Sequence, residues 1–245
     1  MAVLMHSTVK TLREIKKRFM RVLNRLKKAD PRRVHFLHIG KTGGTAIRES
    51  LELLDASQDY ELVFHSHGTS IADVPIGEKV IFFLRDPISR FVSGFYSRKR
   101  KGEPRHHSEW SKVERRVFES FETPNNLAKA LIDSGSSMHS VALEAMKHIR
   151  HLWHYNEWLV SIEYLESRAS DIMFVGFQES LDRDFVKLKT TLNLSDEISL
   201  PTDEVGAHRS PPGLDKSLDE EARLNLRIWY EDDYKLYAFC KSLTF

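Results

Sequence analysis

Two short segments hold most of the residues in this chain with evident chemistry. His38–Thr45 (HIGKTGGT) offers a lysine, two threonine hydroxyls and glycines at 40, 43 and 44. Phe83–Ser97 (FLRDPISRFVSGFYS) offers an arginine and serines at 89, 93 and 97. Glycines let the backbone turn tightly and bring its N–H groups close to an oxyanion. A helix starting beside them points the positive end of its dipole at the same place. Lys41 adds a full charge, and Thr42 and Thr45 add hydroxyl donors. In the second segment, Arg85 and a serine on the following helix make a guanidinium-plus-hydroxyl grip suited to a phosphate monoester. Asp86-Pro87 marks the start of that helix, the aspartate as N-cap and the proline as its first residue. Two such junctions imply a ligand with two separate anionic groups.

Between them lies Phe64-His65-Ser66-His67-Gly68. An imidazole titrates near working pH and suits a general base. On a strand, residues 65 and 67 share a face, so both are expected in one cleft, His67 as the base and His65 as its helper. The chain has 12 histidines, so position rather than residue type singles these out. His148, His151 and His154 stand three apart on an expected helix. They lack the H-E-x-x-H arrangement or a cysteine pair that would argue for zinc, so they read as a polar helix face, and no metal site is expected. Arg98–Lys101 with Arg105, His106 and His107 form a basic loop, either a collector of anionic glycan or simply solvated. Phe174, Trp229 and Tyr230 read as core.

The elements that must position these residues alternate. Apolar runs at Val34–Ile39, Leu62–Phe64, Lys79–Leu84 and Asp171–Phe177 predict strands. Helical spacing predicts helices over Thr45–Leu54, Ile88–Arg98, much of 112–168, Leu181–Leu192 and Lys216–Phe239. The expected fold is α/β: a single domain with a central parallel sheet flanked by helices. Residues 1–30 are set apart as a basic amphipathic N-terminal helix preceding a domain over 31–245. Leu12, Ile15, Phe19, Leu23 and Leu26 recur among the lysines and arginines of 8–29. That segment could touch a membrane surface or a polyanion, or dock on the domain with its lysines in water.

At 245 residues and 41% hydrophobic content the chain can build a real core. A net charge of +2 gives no argument for nucleic acid, and none is expected as a partner. The lone cysteine, Cys240, fits a reducing compartment, and no apolar run has the length of a membrane span, so a cytoplasmic location is expected. The phosphate loop of nucleoside triphosphatases is a rival for the first segment. Gly40-Lys41-Thr42 supplies its tail, but the leading glycine falls at position 35, which is histidine.

Lys41-Thr42-Gly43-Gly44-Thr45 and Arg85-Asp86-Pro87-Ile88-Ser89-Arg90-Phe91-Val92-Ser93 resemble the two cofactor segments of sulfotransferases that use 3′-phosphoadenosine 5′-phosphosulfate (PAPS). They are most similar to the carbohydrate branch containing heparan sulfate 2-O-sulfotransferase, which typically reads P-K-T-x-x-T and R-D-P-x-x-R-x-x-S. Gly40 stands where that branch has proline. The resemblance implies a P-loop-like sulfotransferase fold, with Lys41, Thr42, Gly43, Gly44 and Thr45 on the 5′-phosphosulfate and Arg85 and Ser93 on the 3′-phosphate. His65 and His67 match an H-G-H stretch carrying that branch's catalytic histidines. Phe174–Glu179 resembles a late strand and turn, His208-Arg209-Ser210 a cofactor-covering loop that implies a binding role for Arg209, and Trp229–Phe239 the acidic–aromatic C-terminal helix. The implied reaction is in-line sulfuryl transfer from PAPS to a hydroxyl acceptor, a glycan or glycolipid, with His67 as base and Lys41 steadying the leaving phosphate. Two alternatives stay open: a kinase-like phosphotransferase and a non-catalytic adenosine bisphosphate-binding protein.

Overall fold

The structure, a computed structural model, describes residues 30, 32–52, 59–104, 107–132, 134–201 and 213–243. Four parallel strands form the sheet among these residues: β1 (Arg33–Leu37), β2 (Glu61–Phe64), β3 (Lys79–Leu84) and β4 (Ile172–Phe177), in the order β2-β1-β3-β4. From β1 the chain first goes outward to β2 and then returns to pair β3 on the other side of β1. That reversal opens a crevice at the carboxyl ends of β1 and β3, the usual ligand position in open α/β sheets. Both expected cofactor segments leave the sheet there.

The central strands are apolar on both faces because helices cover both. Ile81 and Phe83 of β3 pack with Val34, Phe36, Ile47, Leu51, Phe174, Phe185 and Leu188. Val80, Phe82 and Leu84 of the same strand pack with Leu37, Tyr155, Trp158, Val175, Leu236 and Tyr237 on the opposite face. Each large side chain sealed in this way contributes about 1.5–3 kcal/mol. Gly176 on β4 makes room for one of them: a Cβ there would sit 2.2 Å from the Phe83 ring.

Helix α1 (Gly44–Glu52) follows β1, and α2 (Pro87–Lys99) follows β3. Segments α3 (Lys112–Ser120), α4 (Pro124–Lys129) and α5 (Ser137–His148), a 3₁₀ turn at Arg150–Leu152, α6 (Asn156–Leu159) and α7 (Ile162–Ser167) lie between α2 and β4. Then come α8 (Leu181–Thr191), α9 (Glu220–Trp229) and α10 (Glu231–Ser242). A third apolar cluster joins α2, α3, α4, α5 and α9 through Phe91, Phe95, Phe118, Leu127, Ala145 and Leu226.

The sequence predicts one helix over Lys216–Phe239, but two form. The Asp219 carboxylate accepts the Ala222 N–H at 2.8 Å, which starts α9 well after Lys216. Tyr230 then ends it, buried at the joint with α10. The expected basic loop is also different: α2 runs to Lys99, Arg98 pairs with Glu114 at 2.5 Å, and Lys101 pairs with Glu109 at 2.8 Å. These cations hold the segment to its neighbours. Phe174 and Tyr230 are core, as expected, while Trp229 packs at the core's edge. No helix among the described residues is long and apolar enough to cross a membrane. The basic segment 8–29 and His208-Arg209-Ser210 lie outside the described residues.

Candidate active site

The first segment folds as a strand, a tight turn and a helix. Lys41 has φ 70° and Gly43 φ 87°, so two residues of the turn are left-handed. Gly43 takes that conformation without cost, whereas Lys41 holds it at a cost of about 1–3 kcal/mol that the surrounding fold must supply. Thr42 turns inward: its Oγ1 donates to the Ile39 carbonyl at 2.9 Å and the residue is buried. The hydroxyl expected to grip ligand from Thr42 therefore closes the turn instead. Lys41, Gly43, Gly44 and Thr45 line a cleft, together with Arg85, Ser93 and Ser97 from the second segment.

The Asp86 carboxylate accepts the Ser89 N–H at 2.8 Å, with Pro87 first in α2, as the sequence predicts. Arg85 is fixed from two sides. Its backbone N–H donates to Tyr155 Oη at 3.0 Å, and its Nε donates to Ser89 Oγ at 2.8 Å. Ser89 thus holds the arginine, while Ser93 and Ser97 face the cleft one and two turns further on. A second cavity next to the first shares Arg85 and Ser93 and adds Ser89, Lys216 and Arg223. The C-terminal helix braces this corner: Tyr234 Oη donates to Asp86 at 2.9 Å and Tyr237 Oη donates to Glu179 at 3.0 Å. Glu179 in turn accepts the Asp86 N–H at 2.7 Å.

No carboxylate is among the described residues lining the cleft. Its charged groups repel one another, and burial adds to the effect. The Lys41 ammonium is pushed down to about 8, first by desolvation and then by the charges of Arg100 and Arg85. Arg100 also carries a buried Nη1 with no hydrogen-bond partner among the described residues. Lysine and arginine crowded in this way suit an anionic ligand that supplies the missing negative charge.

The structure separates the two histidines expected to work as a pair. Strand β2 ends at Phe64, so the two-residue alternation stops before His65. His67 lines the cleft, and its Nδ1 lies 2.9 Å from the His38 carbonyl. A carbonyl only accepts, so Nδ1 carries the proton and Nε2 carries the lone pair. His65 instead turns to His35 on β1, which is bonded at 2.6 Å to the buried Glu78. His35 is also the position where a nucleoside-triphosphatase loop would need its leading glycine, and here it is a buried residue within the strand.

His151 is the residue that sequence reasoning missed. The run through His148, His151 and His154 is not one helix face: α5 ends at His148, and His151 sits in the following 3₁₀ turn. It lines the cleft edge-on to His67, ring centroids 5.9 Å apart. Arg90, fully buried, holds this turn by donating to the carbonyls of His151, at 3.4 Å, and of Trp153. Tyr230 Oη donates to the Leu152 carbonyl at 2.7 Å.

A parallel sheet with its crevice at a strand-order reversal, and two strand–helix junctions opening into it with lysine, arginine and serines, defines an α/β protein suited to an anionic ligand. The family model for the sulfotransferase family matches residues 24–240, and the chain belongs to that family. It is therefore an enzyme of sulfuryl transfer with the P-loop-like fold of that class. No curated protein and no solved structure matches it.

Proposed function

We propose that the chain moves the sulfuryl group of PAPS to a hydroxyl of a carbohydrate, a glycan or glycolipid, as in the branch containing heparan sulfate 2-O-sulfotransferase, with His67 as general base. The observation that carries this reading is the meeting of Lys41 and its glycine turn with Arg85 and Ser93 in one cleft that His67 also lines. Arg85, with its fixed guanidinium, and Ser93 suit a 3′-phosphate; Lys41, Thr45 and the amides of Gly43 and Gly44 suit a 5′-phosphosulfate. The cleft's donor set, cationic and neutral with no described carboxylate, favours a bare bisphosphate over a magnesium-bound triphosphate.

Bound PAPS would supply a sulfuryl group activated by its bond to phosphate. His67 Nε2 takes the proton of the acceptor hydroxyl as that oxygen attacks sulfur. Lys41 and the turn amides take up the charge left on the phosphate oxygen as its bond to sulfur breaks. Calorimetric titration without magnesium tests the reading. Adenosine 3′,5′-bisphosphate should bind in preference to ADP, and Arg85→Ala should lose about ten- to a hundredfold of that affinity, the range for a charge-assisted contact. Equal or ADP-favoured binding that magnesium strengthens would replace this reading with the kinase-like one.

A further inference from the structure

His151 has an environment that fixes its chemistry. Its Nδ1 is buried with no hydrogen-bond partner among the described residues. A buried lone pair without a donor is tolerated better than a buried N–H without an acceptor. The proton therefore sits on Nε2. Burial, followed by the charges of Lys41, His67, Arg98 and Arg90, pushes this imidazole well below its usual range, which keeps it neutral. His67 has the opposite arrangement, with its proton on Nδ1 and its lone pair on Nε2. Two neighbouring rings thus carry complementary tautomers, one presenting an acceptor from Nε2 and the other a donor.

Gly40 explains how His151 comes so close. A Cβ at position 40 would lie 3.0 Å from His151 Cδ2, 3.7 Å from His151 Nε2 and 3.9 Å from His67 Nδ1. Gly40 is not in the left-handed region, so its missing side chain supplies space rather than backbone freedom. The one departure of the first segment from P-K-T-x-x-T, glycine for proline, falls where a side chain would crowd His151. Gly94 makes the matching allowance from α2: a Cβ there would be 2.8 Å from the His151 carbonyl oxygen. With Arg90 and Tyr230 holding the carbonyls of the same turn, the ring stands on a rigid support.

We propose that His151 is a further catalytic residue, donating its Nε2–H to an oxygen of the sulfuryl group in transfer, and that Gly40 is side-chain-free to admit it. The inference rests on the reading of the cleft as a PAPS site. His151 exchanges no proton in the step: the sulfur–phosphate oxygen bond breaks, the sulfur–acceptor oxygen bond forms, and the acceptor's proton goes to His67. His151 steadies charge on the sulfuryl oxygens through a hydrogen bond.

PAPS and adenosine 3′,5′-bisphosphate differ by the sulfuryl group, so their affinity ratio on the full-length protein isolates the contact. In His151→Phe, which keeps a ring without its N–H, the bisphosphate should bind within about twofold of wild type. PAPS should weaken by about three- to tenfold, the range for one hydrogen bond, and sulfate release from PAPS into water should fall with it. His151→Gln, which restores an N–H, should regain most of the ratio. Gly40→Ala, which crowds the ring and shifts its Nε2, should lower the ratio in the same direction as His151→Phe, and serves in its place if that variant does not fold. An unchanged PAPS-to-bisphosphate ratio, or equal loss of both ligands by folded protein, overturns the proposal and leaves the sulfotransferase reading standing. Wild-type protein that fails to bind the bisphosphate overturns that reading and this inference together.

Discussion

His65 places its Nε2 2.7 Å from His35 Nδ1 and stacks over that ring, the planes 11° apart. Both imidazoles are held in their neutral forms. Burial, with the nearby His35 opposing a second charge, lowers His65 to about 4. Burial also lowers His35, outweighing the upward pull of Glu78. In the unfolded chain both titrate near 6.5. Below about pH 6.5 the unfolded state therefore binds more protons, and stability falls as the pH drops toward 4. Melting temperature should decline from pH 7 to pH 5, and His65→Gln should flatten that decline. Equal slopes in the two proteins would remove the pair from the account of acid sensitivity.

Lys41, at about 8 in the ligand-free protein, is partly neutral in mildly alkaline solution. An anionic ligand favours the ammonium, so binding near pH 8 should draw about half a proton onto the protein. Near pH 6.5 uptake through Lys41 should vanish, because the amine is already charged. Titrations of adenosine 3′,5′-bisphosphate in buffers of different ionisation enthalpy measure this directly. Lys41→Met should abolish the alkaline uptake and lower kcat by about 10²–10³-fold, the typical size of losing one charge-stabilising donor.

Replacing His67 by asparagine should lower kcat by about 10²–10⁴-fold, the range for general-base catalysis, and leave bisphosphate affinity near wild type. His65→Asn should cost far less in kcat, because that ring faces His35 rather than the cleft. If His65→Asn were the more damaging of the two, the assignment of the base would reverse.

Two glycines should prove intolerant for reasons of space. Gly176→Ala would press a methyl into the buried Phe83 ring, and Gly94→Ala would press one onto the His151 carbonyl. Each should cost about 1–3 kcal/mol, the usual penalty of overpacking, read from urea unfolding. Gly94→Ala should in addition disturb catalysis, since it moves the turn that holds His151.

The parallel sheet was legible because β3 and β4 are short runs buried on both faces, so their apolar residues are nearly continuous, and β1 departs only at Arg33 and His35. The two strand–helix junctions were legible because glycine and Asp-Pro act through local geometry. The pairing of His65 with His67 misled, since the alternation of a strand applies only while the strand lasts, and β2 stops at Phe64. Thr42 misled in a similar way: its spacing suggests a ligand contact, yet the tightness of the turn leaves its hydroxyl nearest its own backbone. His151 could not be read from local pattern, because a 3₁₀ turn after α5 carries it to the cleft and Arg90 and Tyr230 hold it there. Its one trace in the sequence was Gly40, a missing side chain that makes sense only once its neighbour is known.

The bond from Tyr230 to the Leu152 carbonyl spans 78 residues, and Asp233 accepts the Tyr155 N–H at 2.7 Å across a similar stretch of chain. During synthesis the ribosome delivers Lys41, Arg85 and His151 well before either anchor. A nascent chain that has emerged only as far as β4 already holds all three residues, but the turn beneath His151 still lacks its lock. That turn is therefore locked late, with α9 and α10, and the same α10 brings the tyrosines that brace Asp86 and Glu179.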